Sequence, residues 1–307
     1  MIGQVTPEIA GFGEAMVLFE AADLVHDGGA SIHVAGAELN LCAAAARLGA
    51  STVFCSRVGA DPLGERVIEA TRALGVRDLI EVDAHRQTGV FLKEVRPDGA
   101  RRVHYYRRDS AASTMDSGDV ARLLAVQPAV VAVWGITARL GPGPHAAVKA
   151  LARKARLAFD PNLRPGLGDL DGQIALAHSI LPDVDFLLLG TDEAALIFET
   201  DTPQEMLKAS PARETVLKAG ADGCYYRLDG GIGHLPSLAT TVVDPVGAGD
   251  AFAGGYLVAR LRGAPVAAAA WLGSTLAAAV VSARGDTAGL PTRLEAEGLL
   301  RRALTVG

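Results

Sequence analysis

The stretch with the most chemical content is Val243-Asp244-Pro245-Val246-Gly247-Ala248-Gly249-Asp250-Ala251-Phe252. Gly247, Ala248 and Gly249 are too small to screen their own backbone N–H groups. Asp250 follows them at the head of an apolar, Ala-rich segment that reads as a helix. A turn of small residues opening a helix gathers several N–H groups and the positive end of the helix dipole into an anion site. A carboxylate placed there is repelled by the anion unless it has a task. The task that fits is taking a proton from a hydroxyl while the N–H groups hold charge developing on a transferring phosphoryl group. Two other readings of the glycines fail. A dinucleotide fingerprint needs a third glycine where Phe252 stands, and a P-loop needs Gly-Lys, which none of the five lysines provides. Asp250 as a plain helix N-cap stays as open as the functional carboxylate on the residues alone.

The elements that must hold this turn alternate between strands and helices. Apolar runs at Ile9–Phe12, Thr52–Val58, Ala129–Trp134, Leu157–Phe159, Phe186–Leu189 and Thr215–Lys218 read as strands. Helical spacing covers Glu38–Leu48, Gly64–Leu74 and Pro144–Ala155, the first two closed by Gly49 and Gly75. The β-branched run Thr240–Val243 predicts a further strand entering the Gly-rich turn. Short apolar runs between helices predict an α/β fold whose mostly parallel central sheet is buried on both faces. Two extended segments, about 14–35 and 88–108, break the alternation. The second reads as a hairpin turning at Pro97-Asp98-Gly99, and both are expected to form a small β-sheet lid on a core made by the remainder of one domain spanning 1–307. A lid keeps water out of phosphoryl transfer. Ligands of open α/β sheets sit beyond the carboxyl ends of the strands. That rule singles out Asp160-Pro161-Asn162-Leu163-Arg164, Gly190-Thr191-Asp192-Glu193 and Lys218-Ala219-Gly220-Ala221-Asp222-Gly223.

Composition narrows the class. The 307 residues are half apolar and carry a net charge of −6, so a large core is available and no basic surface invites nucleic acid. Cys42, Cys55 and Cys224 lack metal or disulfide spacing and read as reduced core residues. No basic region followed by an apolar stretch opens the chain, and the most membrane-like segment, Val266–Ala283, is too Ala-rich to span a bilayer and reads as a buried helix. A cytoplasmic protein without membrane contact is expected.

The segment Asp244 to Tyr256 resembles the C-terminal signature of the ribokinase/PfkB family of carbohydrate kinases, and the likeness extends from about residue 11 to about residue 292. It implies a ribokinase-like three-layer core, ATP and Mg²⁺ as cofactors, and Asp250 as catalytic base with Gly247, Ala248 and Gly249 as the anion hole. It also places Asn162, Lys218, Gly220 and Gly223, with Gly247 and Gly249, at the nucleotide. Glu193 matches the carboxylate that organises Mg²⁺ through water, although Gly190 stands where the family has Asn. Val281 to Asp286 resembles the segment lining the adenine pocket and, in some members, a monovalent cation such as K⁺. Ala35 to Asn40 matches a sugar-binding loop in which Gly36 and Asn40 are kept and Ala35 replaces a glycine.

His104 to Ala111, together with Trp134-Gly135-Ile136-Thr137 and Arg284-Gly285-Asp286, is similar to the 2-keto-3-deoxygluconate kinases of that family. The match implies that Tyr105 and Arg107 contact the acid sugar, with Arg164 supporting and Phe91 standing where a Tyr is usual. Arginine suits a carboxylate, to which it can bond bidentately. The expected activity is phosphorylation of a sugar-acid primary hydroxyl, from 2-keto-3-deoxygluconate to its 6-phosphate, by a homo-oligomer, a dimer or dimer-based assembly, built through the lid. Ala35 and Phe91 keep a neutral sugar (fructose, tagatose or ribose) open, and a non-catalytic sugar- or nucleotide-binding protein on the same fold is the rival from another class.

Overall fold

A computed structural model describes residues 6–26, 29–96, 101–228 and 230–305. The expected turn at Pro97-Asp98-Gly99 lies outside the described residues. The strands are β1 (Ile9–Phe12), β2 (Met16–Ala21), β3 (Ser31–Ala35), β4 (Thr52–Gly59), β5 (Arg77–Asp83), β6 (Val90–Val95) and β7 (Arg101–Tyr106), followed by β8 (Val130–Trp134), β9 (Leu157–Asp160), β10 (Phe186–Gly190), β11 (Glu214–Lys218), β12 (Cys224–Leu228) and β13 (Gly231–Leu235). They form a nine-stranded sheet ordered β13-β12-β11-β10-β9-β8-β1-β4-β5 and a four-stranded sheet ordered β3-β2-β6-β7. The large sheet is parallel from β5 to β11 and antiparallel at β12 and β13. The small one mixes both senses.

The large sheet is buried on both faces, as its sequence pattern implies. Along β8, Val130, Ala132 and Trp134 join one hydrophobic layer and Val131 and Val133 the other. The layer containing Trp134 also takes the helices Ala37–Arg47 and Ala248–Leu261. These two helices approach closely at Gly254, where a Cβ would stand 2.7 Å from the Leu41 carbonyl oxygen. That contact lies beside Asn40 on one helix and one turn beyond Asp250 on the other, so a glycine deep in the core sets the spacing of two polar groups at the sheet edge. The helix Val266–Val281 packs alongside, and among the described residues no helix is long and apolar enough to cross a membrane.

The chain runs outward from β1 through β4 and β5, then returns to build β8 through β11 on the other side. The switch point therefore falls between β1 and β8, where ligand crevices form in such sheets. One expected strand is absent. Thr240–Val243 is a loop, with Val242 and Val243 65% and 44% exposed. Its β-branched residues meet no pairing strand; the Val243 and Asp244 N–H groups donate instead to the Val281 carbonyl, at 2.7 and 3.2 Å. β-Propensity describes fit to a pleated, half-buried surface, which this segment lacks.

Candidate active site

The strand ends converge as the sheet register dictates. Trp134 on β8 pairs with Asp160 on β9, and Gly190 on β10 with Lys218 on β11. Over these ends stands the first turn of the helix Ala248–Leu261. Gly247 is its N-cap, with φ +80°, and a Cβ there would run into the Asp286 carbonyl, so only glycine fits. A crevice of about 460 Å³ runs from Gly247, Gly249 and Asp250 past Gly36, Asn40, Asn162, Arg164 and Lys218 to Phe91, Tyr105 and Arg107. A second cavity, of about 450 Å³ and mostly apolar, lies behind the Gly-rich turn and is lined by Gly220, Gly223, Ala248, Phe252 and Ala277, among others. The Gly-rich turn joins the two, with Pro245 and Gly249 lining both.

Asp250 is half-buried and held by two donors. Asn40 Nδ2 donates to its Oδ2 at 3.0 Å and Trp134 Nε1 donates to its Oδ1 at 3.0 Å. Burial pushes its carboxyl up to about 7, with Asp286 adding to the rise against the pull of Asn40, Trp134 and Lys218. Asn40 also donates to Asp286 Oδ2 at 3.1 Å. Lys218 Nζ bonds Asp160 Oδ2 at 2.6 Å and lies directly beneath Gly249, where a Cβ would stand 3.1 Å from it. Burial alone would lower the lysine; the Asp160 and Glu193 carboxylates outweigh burial and raise it, keeping a full positive charge under the anion loop.

Glu193 lies in the first turn of the helix Thr191–Phe198 and ties two strand-end loops together, accepting from the Gly190 N–H at 2.8 Å and from the Leu163 N–H. Burial and Asp160 push it up to about 7. With no side chain at Gly190, the carboxylate folds back on the backbone there. Among the described residues no cluster of three acidic, His or Cys side chains could hold a metal. The hard oxygen donors Asp160, Asn162 and Glu193 do border one cavity. That set fits Mg²⁺, which keeps most of its waters and arrives on phosphates. Asn162 takes a left-handed conformation (φ +47°), and its N–H is held by Asp160 Oδ1 at 2.9 Å. Gly220 opens onto both this cavity and the apolar one. Gly223 has φ +90° and packs against the backbone after β13, so its glycine has a structural reason as well as a place in the apolar cavity.

The far end of the crevice is built from the small sheet. Phe91 and Tyr105 are cross-strand partners whose rings stack at 5.6 Å, and Arg107 lies 5.9 Å from the Tyr105 ring. Arg107 is not free: it pairs at 2.6 Å with Glu14 Oε2, a carboxylate almost wholly buried after β1. Arg164 is exposed on the facing wall, and among the described residues its guanidinium makes no ion pair or hydrogen bond. On the same face of β6 as Phe91, buried Lys93 bonds Asp244 Oδ2 and Glu20 Oε2, each at 3.0 Å. Arg101 on β7 holds Asp244 Oδ1 at 3.0 Å. These cations overcome burial and keep Asp244 below the usual carboxylate range.

Sequence reasoning missed Glu14, Glu38, the Lys93–Asp244–Arg101 latch and the role of Trp134. Glu38 is fully buried, accepts from the Trp134 N–H at 3.0 Å and from the Thr137 hydroxyl, and is pushed up to about 7 by burial. Glu14 and Trp134 lie at the carboxyl ends of β1 and β8, on either side of the switch point, and the strand-end rule applied to those two strands would have found them.

Known proteins share this sequence pattern and this fold. The model of the pfkB family carbohydrate kinases matches residues 6–293. A 2-dehydro-3-deoxygluconokinase of Thermoproteus tenax is 34% identical over 281 residues, covering 88% of this chain and 86% of that protein. A 2-dehydro-3-deoxygalactonokinase of Haloferax volcanii is 30% identical over 310 residues, covering 96% and 97%. The crystal structure of a PfkB protein from Polaromonas sp. JS666 superposes with a TM-score of 0.83 at 30% identity, over 95% of this chain and 99% of that one. The ribokinase-like architecture, the crevice at the switch point and the family match over nearly the whole chain lead to one conclusion: this chain belongs to the PfkB family of carbohydrate kinases.

Proposed function

We propose that this sugar kinase transfers the γ-phosphoryl group of ATP to the primary hydroxyl of a 2-keto-3-deoxy sugar acid, with 2-keto-3-deoxygluconate yielding its 6-phosphate. The observation that carries the acid-sugar reading is that two arginines, Arg107 and Arg164, line the same crevice as Asp250. Among the described residues nothing pairs with the Arg164 guanidinium, which leaves it open to a carboxylate. Arg107 lines the crevice beside the Tyr105 ring, its guanidinium paired with Glu14, which lines the same crevice. The names of the Thermoproteus and Haloferax relatives support the keto-deoxy acid class, and differ between them in the parent sugar acid.

In this reading Asp250 takes the proton of the attacking hydroxyl. The new bond joins that oxygen to the γ-phosphorus, the bond to the β-γ bridging oxygen breaks, and ADP leaves. The Gly247, Ala248 and Gly249 N–H groups and the Lys218 ammonium face the charge on the transferring group. The apolar cavity takes the adenosine, past Gly220 and Gly223, and Asn162 borders the phosphates. Glu193, with Asp160 and Asn162 on the same cavity, would hold Mg²⁺, which would supply charge neutralisation to the phosphates. Gly36 and Asn40 border the sugar. The small sheet serves as a lid within one 307-residue kinase domain, and Tyr106, 65% exposed on the free-edge strand β7, supports self-association through that sheet.

Phe91 favours a second reading, a neutral sugar, because its ring offers no hydroxyl to the crevice. The test is ADP release with ATP and Mg²⁺ against 2-keto-3-deoxygluconate, its galactonate epimer, fructose, ribose and gluconate. Turnover confined to the keto-deoxy acids is expected; turnover with neutral sugars alone overturns the acid-sugar reading.

A further inference from the structure

The two donors on Asp250 are of different kinds. Asn40 is shared, since the same Nδ2 serves Asp286. Trp134 has no such division: an indole carries one donor and no acceptor, and this one donates to Asp250 Oδ1 at 3.0 Å. The ring has no exposed surface. Trp134 ends a central strand, its backbone N–H donates to Glu38 Oε1 at 3.0 Å, and the residue is in register with Asp160. Close-packed interiors give such a ring no room to turn, so the direction of its N–H is fixed by the core and not by the ligand.

We infer that Trp134 is a positioning residue for Asp250, its buried indole N–H orienting the carboxylate toward the acceptor hydroxyl and stabilising its ionised form. The inference rests on the reading of Asp250 as the base. The charge environment gives the donor its importance. Asp286, across Asn40, and Glu38, on the helix beside it, both oppose ionisation of Asp250, while Lys218 from β11 favours it. Removing the indole N–H favours the protonated carboxyl, which cannot accept a proton. Activity is then lost at acid pH and returns as pH rises. A ring that served only to fill space would, when altered, lower activity equally at every pH.

The experiment measures kcat/KM for the sugar acid from about pH 5.5 to 9 in wild type, Trp134→Phe and Asp250→Asn. A charge-assisted hydrogen bond corresponds to a shift on the order of one pH unit. The acid limb of Trp134→Phe is therefore expected to move up by about that much, with a loss of roughly tenfold below the limb and an ATP Kd within about twofold of wild type. A uniform loss with the limb in place overturns the proposal. Because Phe leaves part of the indole volume empty, the same profile is taken with tryptophan replaced by its benzothiophene analogue in a Trp271→Phe background. That exchange puts sulfur in place of N–H, and Trp271 is the second of the two tryptophans in the chain. The same upward shift relative to Trp271→Phe is expected, and an unmoved limb overturns the proposal. Asp250→Asn separates the two readings. If it keeps wild-type turnover, Asp250 is not the base and the proposal falls with it. If it is inactive while neither Trp134 change moves the limb, only the role of Trp134 fails.

Discussion

The two ends of the crevice are built by different means. At the phosphate end, every group is fixed by the nine-stranded sheet or by a helix packed on it: Lys218 and Asp160 by parallel register, the anion loop by Gly247, and Asp250 by Asn40 and Trp134. At the sugar end, Phe91, Tyr105 and Arg107 are carried by or adjoin a four-stranded sheet whose edge strand β7 is exposed along its whole length. The first is held by sheet register and buried hydrogen bonds, the second by ion pairs to Glu14 and Asp244. In the proposed function the core carries the reaction and the small sheet the choice of sugar, so changes at one end should act on kcat and at the other on KM.

The largest effect is expected from Asp250→Asn. Positioned proton transfer contributes roughly 10²–10⁴-fold, so kcat should fall by about 10³-fold while calorimetry shows an ATP Kd within about threefold. Loss of ATP binding as well would mean that Asp250 holds the loop together and the core end is not purely chemical.

Next comes Arg107→Ala. The KM for the sugar acid should rise by about 10- to 100-fold, from the loss of a charge-assisted contact worth about 1.5–3 kcal/mol, with the ATP KM little changed. The substitution also strands Glu14, a carboxylate that burial already raises. Adding Glu14→Gln should therefore recover thermal stability without recovering KM. If both recover, Arg107 is a structural partner of Glu14 and the sugar carboxylate is read elsewhere.

A smaller change tests the joint between the two ends. Lys93 and Arg101 grip Asp244, and Asp244 Oδ1 in turn accepts from the Val246 N–H at 3.2 Å, at the start of the anion loop. Lys93→Met should lower kcat/KM for both substrates by about 3- to 10-fold and raise the ratio of ATP hydrolysis to sugar phosphorylation, read by comparing ADP with phosphorylated sugar. An unchanged ratio would show that the lid closes without this latch.

The same division explains what the sequence disclosed. The turn at the core end was legible because its signal is local: four consecutive residues, Gly247 to Asp250, open the helix as their types imply, and short apolar runs mark the strands that carry Asp160 and Lys218. The lid strands were legible too, from two extended segments that break the βα alternation. The partners were not legible. Glu14 lies 93 positions from Arg107, Lys93 lies 151 from Asp244 and Trp134 lies 116 from Asp250, and no spacing rule spans such gaps. Thr240–Val243 misled for the related reason that a strand needs a neighbour, and strand composition does not reveal whether one exists.

The smallest effect concerns the cost of the phosphate end. Three carboxylates there, Glu38, Glu193 and Asp250, are raised to about 7 by burial, whereas the latch carboxylate Asp244 is lowered by its cations. A carboxyl whose folded value lies above its unfolded value of about 4 binds more protons in the native state between those two values. Stability then falls as pH rises through that window and levels off above about 7. Asp244 and the other lowered carboxylates exert their effect below about pH 4, so between pH 5 and 7.5 the raised group sets the slope. The melting temperature of the unliganded protein should drop by several degrees across that interval. Glu38→Gln keeps an acceptor for the Trp134 N–H and the Thr137 hydroxyl but cannot ionise. It should remove up to about 2 kcal/mol of the slope, a few degrees in a protein of this size. Scanning calorimetry at pH 5, 6, 7 and 8 decides the matter. A wild-type melting temperature that rises over this range would mean that these carboxylates are already paired and that the core end carries no charge held ready for catalysis.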